Sequence, residues 1–394
     1  MMKTFTEEAK LLQDELVSWR RHIHQNPEVG MDTHNTAAFI KTKLEEMGYE
    51  AKYVAGTGVT AIAGAKNSGK CFLIRGDIDA LPVTEEADVE FKSTNGAMHA
   101  CGHDFHATML LGAAKLLKAH EDEIPGQIKF MFQPAEENLK GAKAMVQDGI
   151  LENPKVDAAA MFHVMTGMPL PTGTIVIPNP GPSTAASDWF DIIIKGKGGH
   201  GAMPHKSVDP LNVISHLHLA LQELNSREIA PDDIVALTVG MMKGGTTSNV
   251  IPDTAEMHGT LRTYDKETRV YLNERIPQIA KSVAQTFRAE AEVTMIEGTA
   301  TVTNDAAVTE PLYESLKEVF GNVIRSDQKG SGSEDFAYVS DKVPAVMMII
   351  SAGNSMDGYT LPVHHPKVVF DENVLSVGAA GYAVAALAWL SKNQ

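Results

Sequence analysis

Apolar residues recur along the chain at two alternating periods, and the alternation predicts a layered α/β fold. Leu11, Leu12, Leu16, Trp19 and Ile23 fall at helical spacing within residues 7–25, entered from Thr6 with Glu7 and Glu8 in the first turn. A second helix is predicted over about 33–47 and stops at Gly48, a favoured residue just past a helix end. Apolar runs of strand length follow at 59–63, 71–78, 128–132 and 157–164, with helical stretches at 104–120 and 139–148 between them. Strands that are apolar at nearly every position, alternating with helices, predict a mostly parallel sheet flanked by helices and buried on both faces.

The rhythm changes near residue 185. Strands with partial alternation are predicted at 189–194, 234–242 and 255–263, and amphipathic helices at 208–225 and 266–288. A Pro/Gly-rich stretch at 178–182 precedes this smaller α+β module, and Gly298-Thr299-Ala300 follows it. The αβ rhythm then resumes with a helix at 307–320, a strand at 345–350 and a helix at 372–390. The expected organisation is one α/β domain, 1–184 plus 300–394, carrying a second domain inserted at 185–299. No internal repeat or low-complexity segment interrupts it.

Composition narrows the function classes. The chain has 394 residues, 43 % of them hydrophobic and 21 % charged, as expected of a globular protein with substantial cores. Its 34 basic against 50 acidic residues leave a net charge of −16 and no basic run. That argues against a nucleic-acid partner and against an anionic membrane surface. Two cysteines, Cys71 and Cys101, do not make a disulfide framework, so a reducing, cytoplasmic location is the expectation. Residues 1–8 bring acidic groups early and no apolar core, unlike a signal peptide. The apolar segment 377–390 is shorter than the roughly 18 residues a membrane helix needs and reads as a buried terminal helix.

Candidate chemistry gathers where predicted strands end. Cys101-Gly-His103-Asp104, Glu136-Glu137, His163 and His364-His365 supply one thiol, a carboxylate pair and several imidazoles. All are credible ligands for a first-row divalent ion, and a single charged atom can bridge two ions. In an open α/β sheet, ligands bind outside the carboxyl ends of the strands. Cys101 and His103 open a helix, whose positive end favours a thiolate. Singly, each residue also has a bland reading: a small buried thiol, a core histidine, solvated loop carboxylates. Their common placement on one sheet edge favours the functional one. His34, His106 and His120 do not share that placement and read as structural or surface residues. Neighbours in an extended segment face opposite ways, so one of Glu136 and Glu137 could ligate while the other approaches a water.

The motifs then resemble a known family. Arg75-Gly-Asp-Ile-Asp79-Ala-Leu-Pro82, Met98-His-Ala-Cys101-Gly-His103-Asp, Gln133-Pro-Ala-Glu136-Glu137, Gly199-His200-Gly-Ala-Met-Pro204, Asn249-Val-Ile-Pro252, Ser333-Glu-Asp-Phe336 and His364-His-Pro366 span nearly the whole chain. Together they resemble the dinuclear aminoacylase/carboxypeptidase family. Within it they are similar to the amidohydrolase branch of hippurate hydrolases, auxin-conjugate hydrolases and N-acetyl-diaminopimelate deacetylases. The resemblance implies two divalent metal ions per subunit, with manganese, nickel, cobalt and zinc all candidates. Cys101 would bridge them, His103 and His163 would complete one site, and Glu137 and His364 the other. The tandem His364-His365 leaves that ligand open by one residue, and the family spacing before proline favours His364. Glu136 would be the general base and Asp79 a supporting carboxylate. Related carboxypeptidases carry a histidine where this chain has Asp77, and an aspartate as the bridge.

By the same resemblance, residues 1–184 and 300–394 form the metal-binding catalytic domain, and 185–299 a lid and dimerisation domain in a homodimer. His200 would donate to the developing oxyanion, from the partner subunit. Asn249 and Arg262 would hold the free carboxylate of an N-acyl amino acid. Read on its own, Arg262 on a strand is equally a surface ion pair. The implied reaction is metal-dependent hydrolysis of an amide bond. Two cations lower the pKa of a water between them toward about 7, and Glu136 moves its proton to the leaving amine. A dipeptidase or carboxypeptidase with the same machinery and a catalytically silent metal-binding assembly protein are the competing readings. Neither acyl group nor amino acid is specified by these motifs.

Overall fold

The near-continuous apolar runs form the inner strands of an eight-stranded sheet in the computed structural model, which describes residues 2–394. The sheet contains β1 (Lys52–Val54), β2 (Gly58–Ala63), β3 (Cys71–Asp77), β4 (Gln127–Gln133), β5 (Ala158–Met165) and β6 (Ile175–Pro178), with Val323–Ser326 and Ala345–Ser351. Their spatial order is β1, β2, β4, β3, β5, Ala345–Ser351, β6, Val323–Ser326. The central β4–β3–β5–(Ala345–Ser351) run is parallel throughout, and antiparallel pairs occur toward both edges. All seven residues of β3 are buried, as a strand covered on both faces requires.

Six helices supply much of that cover: α1 (Met2–Leu11), α2 (Gln13–Gln25), α3 (His34–Glu46), α4 (His103–Ala119), α5 (Gly141–Gln147) and the C-terminal Val374–Lys392. Leu16, Phe72, Phe105, Phe162 and Tyr382 belong to one continuous core between helices and sheet. The C-terminal helix also ties the sheet together through a polar group. The Tyr382 hydroxyl donates to the Arg75 carbonyl at 2.6 Å and accepts the Phe162 N–H at 3.0 Å. It thereby links β3 to β5 beyond their last ladder pair, Arg75 with Met161.

Two expectations need correction. Helix formation begins at Met2, not after Thr6, and the chain breaks at Leu12 into two helices; Thr6 lies inside the first and bonds back to the Lys3 carbonyl. The C-terminal helix has 19 residues, so by length and composition it could cross a bilayer, although 89 % of its apolar window is buried inside the protein. The short strands β1, β6 and Val323–Ser326 were not legible as strands, because three or four residues carry no usable period.

By contacts the chain divides into two units. The larger comprises the chain up to Gly181 with Val302–Gln328 and Asp335–Gln394, and the smaller comprises Pro182–Thr301 with Lys329–Glu334. The smaller unit is a four-stranded antiparallel sheet in the order Val235–Gly244, Thr254–Thr263, Ala186–Lys195, Glu290–Glu297. Helices Pro210–Glu223 and Lys266–Thr286 pack on it around Phe190, Ile192, Leu217, Met257, Leu261 and Ile276. Asp209 and Asp265 cap these helices by accepting the Leu211 and Thr268 N–H groups, which compensates for orphan donors at their starts. Residues 329–334 fall outside the 185–299 insertion expected from the sequence. They join the smaller unit through Gly330 N–H to the Ser183 carbonyl at 2.8 Å and Tyr264 hydroxyl to the Gly330 carbonyl at 2.9 Å.

Candidate active site

Four chain segments converge at the carboxyl ends of β3, β4 and β5. Cys101 precedes α4, and His103 is its first residue. Between them Gly102 sits at φ +83°, where a Cβ would lie 2.4 Å from the Val164 side chain, so only glycine lets the helix start this close to β5. After β4 the chain turns through Ala135 at φ +57°, and Gly141 passes so near the Pro134 carbonyl that no side chain could be accommodated. That turn presents Glu136 and Glu137. His163 lies near the end of β5. His364 comes from the loop after Ala345–Ser351, at φ +67°, anchored by its N–H to the Ala100 carbonyl at 2.8 Å.

Asp79, two residues past β3 and fully buried, holds three of these groups. Its Oδ1 accepts the Glu136 N–H at 3.0 Å and its Oδ2 the Glu137 N–H at 3.2 Å. Its carbonyl accepts His103 Nδ1–H at 2.9 Å, which leaves Nε2 of that ring pointing into the cluster. His163 is fixed in the same sense, with Nδ1 donating to the Val164 carbonyl at 2.7 Å. Burial pushes its pKa down to about 3, so its ring is neutral with a lone pair on Nε2.

The free ends of these side chains face one another. Cys101 Sγ lies 3.5 Å from His163 Nε2 and 3.3 Å from His364 Nε2. Glu137 Oε1 lies 3.5 Å from His364 Nε2 and 3.9 Å from His103 Nε2, and Glu136 Oε2 lies 3.9 Å from that same nitrogen. Two sets of three, Cys101–His103–His163 and Cys101–Glu137–His364, have all their ligand atoms within 4.8 Å and share the sulfur. Bonds of about 2.0–2.3 Å to a tetrahedral ion give ligand–ligand edges of about 3.3–3.8 Å. Of the tandem histidines, His364 reaches the cluster, while His365 Nδ1 accepts the Lys367 N–H in its own turn.

The electrostatics of this donor set call for positive charge. His103 Nε2 and Glu137 Oε1 are buried with no hydrogen-bond partner among the described residues. Burial pushes the Cys101 thiol well up, and His103 beside it only partly offsets this. Burial likewise raises Glu137 against the pull of His103 and His364. Burial disfavours a charged His103, but Asp77 and Cys101 hold its pKa well above the usual range. These donors fit a pair of divalent ions.

Sequence reasoning gave no role to several buried polar residues. His106, read there as structural or surface, is fully buried against the cluster; its position three residues after His103 on one helix face was the available signal. Arg75 is fully buried, with Nη1 2.7 Å from Asp77 Oδ2 and Nη2 3.0 Å from Asp335 Oδ1. Arg20, His24, Glu85 and Asp104 form a second buried ionic group. His34 is exposed, and His120 pairs with Glu8 and Glu123 away from the cluster.

The other expected residues lie in the smaller unit. His200 and Asn249 belong to one short ribbon, in which His200 pairs with Val250 and the Asn249 carbonyl accepts the Gly201 N–H. Both are exposed. Arg262, on Thr254–Thr263, is half-buried over the Trp189 ring at 5.5 Å, and donates to Thr260 Oγ1 and the Leu261 carbonyl. These partners are uncharged, unlike the surface ion pair that its sequence position also allowed.

Known proteins are similar to this chain in sequence and fold. The pattern of peptidase family M20/M25/M40 matches residues 73–388. A thermostable carboxypeptidase 2 of Saccharolobus solfataricus is 34 % identical over 100 % of both chains. An N-acetyl-L-cysteine deacetylase of Bacillus subtilis is 37 % identical over 92 % of this chain and 85 % of its own. A Bacillus subtilis structure described as a dinuclear metal-binding peptidase from the M20 family superposes with a TM-score of 0.84 at 33 % identity, covering 97 % of this chain and 99 % of that one. With its pattern matched over most of its length and a relative this similar end to end, the chain belongs to peptidase family M20/M25/M40.

Proposed function

We propose that the protein is a metal-dependent amidohydrolase that cleaves N-acyl amino acids to a carboxylic acid and a free amino acid. The observation that carries the reading is the pair of three-residue ligand sets sharing Cys101. The deacetylase relative supports an N-acyl substrate, and the dinuclear relative supports two ions per chain. Manganese, zinc, nickel and cobalt all suit a mixed sulfur, nitrogen and oxygen set. Two free cysteines and an acidic chain fit the cytoplasm.

In this reading Cys101, His103 and His163 would hold one ion, and Cys101, Glu137 and His364 the other. Bound there, the ions would supply Lewis acidity and lower the pKa of a water toward neutrality. Glu136, kept from ligation because Glu137 fills that role, takes a proton and returns it to the leaving amine. Asp79 holds both glutamates by their N–H groups, so the base and the ligand keep their separation. His200 donates to the oxyanion, and Asn249 and Arg262 grip the substrate carboxylate. The smaller unit carries these three residues, and we infer that it also joins two chains in a homodimer, with His200 serving the partner's reaction. The carboxypeptidase relative favours one second reading, hydrolysis of dipeptides by the same groups. A panel of N-acyl amino acids against dipeptides with free amines separates the two: preference for the acylated set supports the proposal, and a free-amine requirement overturns it.

Glu136→Gln should keep the metal content of the wild type and lower kcat by at least ~10²-fold. Loss of metal, or near-normal turnover, would contradict the assignment of base.

Mixed dimers test His200. Glu136→Gln and His200→Ala chains, each inactive alone, should recover activity once subunit exchange has been verified by mass. Exchange without recovery would put His200 in its own subunit's reaction or outside it.

Arg262 is tested by a double cycle, pairing substrate acid and its uncharged amide with wild type and Arg262→Ala. A guanidinium that grips the carboxylate through two parallel hydrogen bonds should contribute roughly 2–5 kcal/mol to kcat/KM, with strong coupling between the two changes. Simple additivity would make Arg262 a structural residue of its strand.

A further inference from the structure

Building on the reading of the cluster as a metal pair, we propose that His106, held by Asp77, is the positioning residue for the His103–His163 half of the centre. Three contacts of this ring carry the inference. First, Nδ1 donates to Asp77 Oδ1 at 2.5 Å, while Arg75 holds the other oxygen of that carboxylate. Second, Nε2 accepts the Val164 N–H at 2.8 Å. Third, the ring stacks on His103 with centroids 5.3 Å apart and planes at 28°, and meets His163 edge-on at 4.7 Å and 67°. Both hydrogen bonds require one tautomer, with the proton on Nδ1 and the lone pair on Nε2. No nitrogen of His106 remains for an ion, so it acts through its neighbours.

Its place in the sheet explains why a side chain is needed here. β3 pairs with β5 only as far as Arg75 with Met161. Past that point the Phe162 N–H is taken by the Tyr382 hydroxyl and the Val164 N–H by His106. The imidazole therefore stands in for a missing strand at the position where β5 delivers its ligand. Val164 is held at its N–H by His106, and its carbonyl in turn holds His163 Nδ1. Moving His106 moves the aim of His163 through one residue. The same ring fixes the distance to His103 on the other side. Asp77 thereby anchors a positioning imidazole. Glu137 and His364 reach the cluster from other segments, so the second half of the centre should not depend on this ring.

The test is zinc affinity measured by competition with a chromogenic chelator, on wild type, His106→Phe and His106→Gln. Phenylalanine fills the space without either hydrogen bond, whereas glutamine can still accept the Val164 N–H. Wild type should bind two equivalents. His106→Phe should bind one of them about 10–100-fold more weakly and leave the other unchanged, and His106→Gln should recover part of the loss. Two equivalents with unaltered affinity in both variants would overturn the proposal. So would equal weakening of both equivalents, or loss of cooperative unfolding in both variants, either of which makes His106 general scaffold. Fewer than two equivalents in wild type would instead overturn the reading of the centre, and this proposal with it.

Discussion

The sulfur of Cys101 sits in a place where a thiolate is costly unless cations stand beside it. Burial drives its thiol pKa up, two imidazole nitrogens lie 3.3 and 3.5 Å away, and carboxylates approach from the turn after β4. A cluster of lone pairs facing one another is repulsive by itself. Positive charge at its centre would turn the same geometry into coordination, and the surrounding residues hold that geometry. Asp79 registers His103, Glu136 and Glu137 against one another. Gly102 permits α4 to start against β5, and His364 adopts a left-handed backbone to reach the sulfur.

The supporting layer is itself ionic. Arg75, Asp77 and Asp335 are fully buried, as are Arg20, His24 and Asp104 with almost no exposure. Burial would push Asp104 up, yet Arg20 and His24 hold it well below the usual carboxylate range. Such groups are poor sources of stability, because desolvation offsets their attraction. Removing one partner, however, would strand a buried charge at a cost of about 3–5 kcal/mol. Asp77 shows their use in direction: it holds the His106 ring, which packs on His103 and His163.

Much of this was legible in the sequence, for identifiable reasons. Strands such as 71–77 are apolar at most positions because both faces are covered, and the candidate ligands follow strand ends because an α/β sheet places its site there. Four segments far apart in sequence could thus be assigned to one edge. The contacts of His106 were not legible, since a histidine inside an apolar helix looks like any other core residue until its two hydrogen bonds are seen. The first helix was misplaced because Thr6 resembles an N-cap, although the chain already turns from Met2. Residues 329–334 escaped because their place in the smaller unit rests on backbone bonds that leave no side-chain pattern. Glu290–Glu297 escaped because its charged, alternating pattern lies beyond the expected helix end.

The central claim is that one thiolate is shared by two ions. Cobalt(II) titration of the metal-free protein, followed by sulfur-to-metal charge-transfer absorption, tests it most directly, with Cys101→Ser alongside. Two equivalents should bind, and both should contribute to the sulfur band, because both ions touch the same atom. In Cys101→Ser the band should vanish and both equivalents should weaken together. Two equivalents of which only one adds to the band, or a Cys101→Ser protein that keeps either ion at wild-type affinity, would contradict the account.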